Sequence, residues 1–273
     1  MKKNILITVL IIINLSQVFC QSIKRQIHIP LDNLKGIPYS KVESDFNVQS
    51  FEIDANNNCY FLSGNPNFSQ IVKFEGNKNV FRKTFKGYIG NQLYIYDKKI
   101  FVLNQRTSNL SVFTTDGLLT NEYNHITFSH INSYRFVDSS LVIDVVKKSD
   151  AGALDYDLYT LSGTKIKRIT NPFNLPLRVF KNDQAEPGVL YVGKWGNNYV
   201  FWSYDDKRLG YEKFWLANDD GQVLKTAYFQ SKQLGMRFEN EQGGKLRNGS
   251  IFVLGHIGKE GIVTELSISE MFK

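Results

Sequence analysis

The chain has 273 residues, of which about 250 remain once a leader is removed; that exceeds one ordinary domain but suits a single closed all-β unit. Aromatic residues make up 14 % of it and glycines number 20, a composition fitted to many short strands and tight turns. The formal charge of +7 is dispersed, with no basic run and no nucleic-acid motif, so it favours solubility and weak attraction to anionic surfaces and excludes nucleic acid as the partner.

The first twenty residues pair a short basic start, Lys2-Lys3, with an apolar run from Ile5 to Ile13 that is broken at Asn14. Length and polarity read as a secretory signal peptide, and the apolar run is too short to span a membrane. Cleavage after Cys20 leaves Gln21 as the first residue of one domain, 21–273, in a secreted or periplasmic protein without a transmembrane segment. Lipidation of Cys20 is the alternative, disfavoured by Val18 and the bulky Phe19 before it. Lys2 and Lys3 leave with the leader, so +7 becomes +5. Cys59 is then the only cysteine, cannot form an internal disulfide, and reads as a small buried hydrophobe.

From there a pattern recurs in chain order, a turn cluster followed by a short apolar strand. It appears at Asn56-Asn57-Asn58 before Cys59–Leu62, Asp97-Lys98-Lys99 before Ile100–Leu103, and Asp138-Ser139-Ser140 before Leu141–Ile143. It returns at Gly196-Asn197-Asn198 before Tyr199–Trp202 and at Asn248-Gly249-Ser250 before Ile251–Leu254. The second copy extends into a meander: Gln92–Tyr96, Ile100–Asn104, Leu110–Phe113, then a turn at Asp116-Gly117 into Leu118–Tyr123. An aromatic followed by a turn glycine marks the third turn of four copies, at Phe74 and Gly76, Phe113 and Gly117, Tyr159 and Gly163, and Trp215 and Gly221.

Five such copies predict an all-β fold, a β-propeller of five four-stranded blades. Six blades remain an alternative if Thr170–Pro187 contributes strands. The fifth copy offers an inner strand near Met236–Asn240, then Ile251–Leu254 and Ile262–Ile268, and lacks its fourth. Arg25–Ile29, which alternates polar with apolar, is expected to fill that place and cover the open edge. The unit running from Ser50-Phe51-Glu52-Ile53-Asp54 through Asn58–Leu62 to Ile71–Gly76 resembles one repeat of the NHL-type propellers. The resemblance implies the fold and carries over no functional residue.

In an up-and-down meander the first and third turns of a blade lie at one end, and the second turn and the link to the next blade at the other. Spacing between equivalent second strands is 41 residues twice, then 58 and 52. The extra residues fall in Lys147–Tyr156, Thr170–Pro187 and Tyr204–Tyr211, all at the second-turn end over blades three and four. Long loops commonly carry function, so this sector is the predicted ligand-binding site. Its residues are Arg178, Lys181, Asp205, Lys207, Arg208 and Tyr211, beside Lys194 and Trp195, a mixture suited to a protein or glycan partner.

The predicted role is a monomeric binding module. One rival is a carbohydrate-active enzyme, a hydrolase or lyase with carboxylates in a central funnel, and another is a structural part of a cell-surface assembly. Asp54, Asp97 and Asp138 share one turn position and read as turn chemistry, while Glu52, Glu239 and Glu241 lie on or near first strands. His125, His130 and His256 form no metal-ligand spacing, and no motif calls for a cofactor, so neither metal nor cofactor is expected. Asn67, Asn109 and Asn248 begin Asn-x-Ser sequons.

Overall fold

The computed structural model describes residues 22–32, 35–37, 47–65, 67–125, 131–137, 140–148, 154–169, 189–204, 210–236 and 244–273. They form five four-stranded antiparallel sheets, the blades of a β-propeller. Blade one is β2 (Asn47–Ile53), β3 (Cys59–Gly64), β4 (Phe68–Glu75) and β5 (Lys78–Lys86). Blade two is β6 (Gln92–Tyr96), β7 (Lys99–Asn104), β8 (Asn109–Thr114) and β9 (Leu119–Asn124). Blade three is β10 (Ile131–Val137), β11 (Ser140–Lys148), β12 (Leu154–Thr160) and β13 (Lys165–Ile169). Blade four is β14 (Leu190–Trp195), β15 (Asn198–Tyr204), β16 (Tyr211–Ala217) and β17 (Val223–Gln230). The last blade is β18 (Lys245–Arg247), β19 (Ser250–Ile257) and β20 (Glu260–Ser267), completed by β1 (Ile23–Pro30) beside β20. The segment Thr170–Pro187, on which a sixth blade depended, lies outside the described residues.

Contacts divide the chain into two compact units, residues 1–29 with 178–273, and residues 30–177. In the second unit, Tyr60, Leu62 and Ile71 of blade one pack on Leu93, Ile95, Ile100 and Val102 of blade two. The opposite face of blade two presents Phe101, Leu103, Leu110 and Val112 to Ile131, Ile143 and Val145 of blade three. These strands are apolar on both faces because each blade is sandwiched, which is why the sequence shows apolar runs rather than alternation. Asp32 accepts hydrogen bonds from the backbone N–H groups of Lys35 and Gly36, and Arg82 of β5 donates to the Gly36 carbonyl, fastening the entry segment to blade one.

In the other unit, Val200, Trp202, Phe214, Leu216 and Phe229 of blade four pack on Ile251, Val253 and Leu266 of the last blade. Ile268 and Met271 of the C-terminal helical turn Ile268–Met271 join them. A fully buried side chain of this size contributes about 1.5–3 kcal/mol, so this cluster is a principal source of the unit's stability.

The hairpins repeat in register. The third turns place Gly76, Gly117, Gly163 and Gly221 at φ of 61°, 80°, 90° and 78°, the left-handed region where a Cβ is costly. A β-bulge accompanies each, at Lys73/Phe74, Val112/Phe113, Leu158/Tyr159 and Leu216/Ala217. This register corrects one assignment: the fourth-blade partner of Phe74, Phe113 and Tyr159 is Ala217, not Trp215.

A second correction concerns the first strand of the last blade, expected near Met236–Asn240. Asn248 and Gly249 have φ of 47° and 71°, and this tight turn pairs Arg247 with Ser250, so the strand must run up to Arg247. Met236 instead follows the helical turn Ser231–Leu234 and makes an isolated antiparallel bridge to His256. Residues 237–243 lie outside the described ones.

The N-terminal strand takes the predicted place. Ile27 and Ile29 are buried, Arg25 Nε donates to Glu265 Oε2 at 2.6 Å, and Gln26 Nε2 donates to Thr264 Oγ1 at 3.0 Å and to the Gln233 carbonyl at 2.7 Å. Burial of the two isoleucines alone contributes on the order of 3–6 kcal/mol, a large share of the roughly 5–15 kcal/mol that holds a domain together. Deletion of residues 23–30 is therefore expected to abolish the cooperative thermal transition, read by calorimetry and size-exclusion chromatography. A deleted form that stays monomeric and melts within a few degrees of the parent would refute the closure.

Candidate functional site

Two of the three loops that define the predicted sector are shorter than the spacing suggests. Lys147 and Lys148 pair with Asp155 and Leu154, and Tyr204 pairs with Glu212, so much of each insertion lengthens a hairpin. What remains at the tips is 149–153 and 205–209. Of the predicted site residues, Arg178, Lys181, Asp205, Lys207 and Arg208 lie outside the described residues, while Lys194, Trp195 and Tyr211 lie inside.

The structure does not bring those three together. Trp195 pairs with Asn198 at the first turn of blade four, whereas Tyr211 stands beside the second turn, one strand length away. At about 3.3 Å per residue, the seven residues of β15 separate the two ends by roughly 20 Å. Lys194 sits with its ammonium 5.5 Å from the Tyr199 ring centroid, and Trp195 is half-buried against the blade-four core. Both belong to the first-turn end, and the predicted sector loses them.

Tyr211 keeps its place. Its phenol oxygen accepts from Gln230 Nε2 at 3.1 Å, and the Ser231 N–H bonds the Gly210 carbonyl at 2.7 Å, so the turn is tied to the link that follows β17. Gln230 and Gln233 close a capping box on the helical turn Ser231–Leu234. That link then passes against the last blade, where a Cβ on Gly255 would fall 2.3 Å from the Leu234 carbonyl oxygen. Only glycine permits this approach.

Beside Tyr211 lies Glu212, a buried carboxylate that accepts from Trp202 Nε1 at 2.5 Å. Sequence reading passed over it. The signal was present in the alternation: positions 212, 214 and 216 share the face of Trp202 and Val200, and an acid there is a polar group placed where the pattern demands an apolar one. Replacing Glu212 by Ala leaves the buried indole N–H without this acceptor, which is expected to cost about 1–3 kcal/mol in urea unfolding. Glu212→Gln keeps an acceptor oxygen and should cost less; equal losses would mean that the hydrogen bond contributes nothing.

Of the carboxylates on which the glycan-cleaving reading rested, Asp54, Asp97 and Glu52 are described, and Asp54 and Glu52 accept hydrogen bonds from backbone N–H groups. Asp54 accepts from the backbone N–H of Asn56 and Asn58 at 2.8 and 2.9 Å, the expected turn role. Asp97 has a φ of 45° and occupies the equivalent turn in blade two, and Asp138 lies outside the described residues. Among the described residues Glu52 is the one carboxylate on a blade's first strand, and it is buried and accepts from the Ile53 N–H at 3.0 Å. Glu239 and Glu241 lie outside the described residues.

Among the described residues no group of three or more His, Cys, Asp or Glu side chains is placed to hold a metal ion. His125 is buried and stacked on Tyr123, with desolvation holding its pKa below the usual value; His256 is buried in the bridge to Met236, and His130 is outside the described residues. Cys59 is fully buried in β3, as expected.

The other face of blade four is aromatic. Phe201 stacks on Trp215 at 5.5 Å, Tyr191 lies 5.6 Å from Phe201, and Lys213 lies 5.0 Å from the Trp215 centroid. Burial, with Tyr199 nearby, pushes the Tyr191 phenol up to about 12. The folded state thus holds that proton more tightly than the unfolded chain, so this contribution is complete below pH 10 and is lost as pH rises toward 12. Tyr191→Phe is expected to flatten the fall in stability over that window, followed by denaturant midpoints; an unchanged slope would remove Tyr191 as its source.

No protein-family model matches the chain, and neither does any curated protein sequence. Among solved structures, glutaminyl cyclase from Myxococcus xanthus is similar over 90 % of this chain and 95 % of its own, at 10 % identity and a TM-score of 0.51. A member of the DUF4221 family from Bacteroides vulgatus covers 90 % of this chain and 97 % of its own, at 12 % identity and a TM-score of 0.46. An inactive variant of virginiamycin B lyase from Staphylococcus aureus covers 89 % and 88 %, at 10 % identity and a TM-score of 0.42. At such identities the likeness is one of fold, and the fold is the β-propeller that the NHL-like repeat implied.

Proposed function

We propose that this chain is an exported binding module for a protein or glycan partner, and that the contact surface is the second-turn end of blade four. The leader, residues 1–20, is removed in this reading and 21–273 acts as one monomeric domain. The observation that supports the site is the pairing of Tyr204 with Glu212 at the second turn of blade four, beside which Tyr211 accepts a hydrogen bond from Gln230 at 3.1 Å. In this reading Asp205, Lys207, Arg208 and Tyr211 make the contact, joined by Arg178 and Lys181 from the link that precedes blade four in the sequence. Loops carried by a sheet scaffold are common places for binding residues.

The test is replacement of Arg178, Lys207 and Arg208 together by Ala. Binding to a partner found by glycan array or by pull-down from native extract is expected to weaken at least about tenfold, as loss of charged contacts at an interface commonly does. The melting temperature should stay nearly constant in this reading, because a contact surface faces solvent and substitutions there usually change stability by less than about 0.5 kcal/mol. Undiminished binding would move the site elsewhere.

A further inference from the structure

The second-turn end of blades one and two differs in composition from the other turns of those blades. Stretches 64–69, 87–92 and 104–109 make the two second turns and the link between the blades, and they hold seven Asn or Gln residues with no Asp, Glu or Lys. The first and third turns of the same blades each carry a carboxylate, Asp54, Glu75, Asp97 and Asp116. All of these residues belong to one compact unit.

Hydrogen bonds fasten the two turns to the link. Asn65 Oδ1 accepts from the N–H groups of Asn67 and Phe68 at 2.9 and 2.8 Å, and the Gly87 N–H donates to the Asn67 carbonyl at 2.6 Å. The Ser69 hydroxyl donates to the Gly87 carbonyl and accepts from the Ile89 N–H, both at 3.0 Å. On the blade-two side, Asn91 Nδ2 donates to Gln105 Oε1, and Asn91 Oδ1 accepts from the Gln105 N–H at 3.2 Å. Asn104 Oδ1 accepts from the N–H groups of Arg106 and Thr107 at 3.1 and 3.2 Å.

Backbone fastening therefore accounts for Asn65, Asn91 and Asn104. It does not account for the side chains that these three hold in place. Phe68 is 47 % exposed, and its neighbour Asn67 is exposed with no side-chain hydrogen bond among the described residues. Arg106 and Thr107 are exposed in the second turn of blade two.

The chemistry of these four side chains defines a ligand class. A carboxamide and a hydroxyl each donate and accept, which matches the vicinal hydroxyls of a sugar, themselves donors and acceptors. An exposed aromatic ring offers apolar area to the C–H face of a sugar ring. No carboxylate in the three stretches selects a cation, and Arg106 is their one cation, so hydrogen-bonding shape rather than a charged field sets the selectivity. Because the turns are already fixed by their own hydrogen bonds, binding orders little that is not ordered beforehand.

We propose that the second-turn end of blades one and two binds a neutral polysaccharide, Phe68 packing against a sugar ring while Asn67, Arg106 and Thr107 bond its hydroxyls. The surface shares no residue with the partner-binding end of blade four and does not rest on that reading.

The test is binding to immobilised mannan, xylan, dextran and mixed-linkage β-glucan, followed by biolayer interferometry at low and high salt, with alginate and polygalacturonate as acidic counterparts. At least one neutral polymer is expected to bind, with an affinity that salt leaves unchanged. Phe68→Ala should weaken that binding at least about tenfold, as truncation of an anchoring aromatic does, and Asn67→Ala should weaken it less. Both side chains are exposed, so an unchanged melting curve separates loss of binding from loss of fold. Leu118→Ala, at the exposed third turn of blade two, should leave binding intact, as should the triple replacement of Arg178, Lys207 and Arg208. Failure to bind all four neutral polymers would overturn the proposal, as would binding that Phe68→Ala leaves untouched or that Leu118→Ala weakens equally. Binding lost in the triple variant alone would assign the polymer to blade four instead. Preference for the acidic polymers, abolished by salt, would overturn it in favour of a charged ligand. Phe68-dependent binding to a displayed peptide library, with none to the polymers, would overturn it in favour of a protein.

Discussion

Glu265 joins the two ends of the chain. Its carboxylate accepts from Arg25 at 2.6 Å and from Ser250 at 2.9 Å and lies 3.6 Å from Lys24, so one buried acid on β20 fixes the N-terminal strand to the last blade. A carboxylate this deep is costly unless its oxygens are occupied, and here both oxygens have partners. The isoleucines of β1 add apolar burial along the same strand. Without that strand, β20 would carry an open row of backbone groups and the last blade would stop at three strands. The other four blades are complete within themselves; this one depends on residues from opposite ends of the sequence.

Much of the fold was legible because its local chemistry repeats. Turn residues fix where a hairpin must reverse, and Asn57, Asp97, Asn248 and Gly249 all take the positive φ that their positions predict. The glycines of the third turns did the same for the outer hairpins. Reading failed where a local signal was ambiguous. Trp215 is the aromatic that precedes Gly221, but the bulge at Leu216/Ala217 puts Ala217 at the position of Phe74, Phe113 and Tyr159. The expected strand near Met236–Asn240 falls short of the Asn248-Gly249 turn, because the strand that reaches it, Lys245–Arg247, is short and has one apolar residue to mark it.

The candidate site was less legible for a physical reason. Spacing between repeats counts inserted residues without saying whether they lengthen a strand or a loop. At 147–156 and 204–211 they do both. Spacing also cannot tell which side of a tight hairpin a residue serves, which is how Lys194 and Trp195 came to be grouped with Tyr211 across a full strand length. Glu212 was missed because an acid beside exposed loop charges looks like one more of them until the alternation around Trp202 is followed residue by residue.

The distance in sequence between β1 and its partner has a kinetic consequence. Arg25 and Glu265 are 240 residues apart, whereas every other strand pair in the blades is between neighbours in the chain. Hairpins that depend on near neighbours can form as soon as their residues are available, but β1, made first, must wait for the last residues of the chain before it has a strand to lie against. Until then Ile27 and Ile29 are exposed on a loose segment. Chain topology thus makes the closing blade the expected slow step of folding, and the interval before it closes the expected window for aggregation.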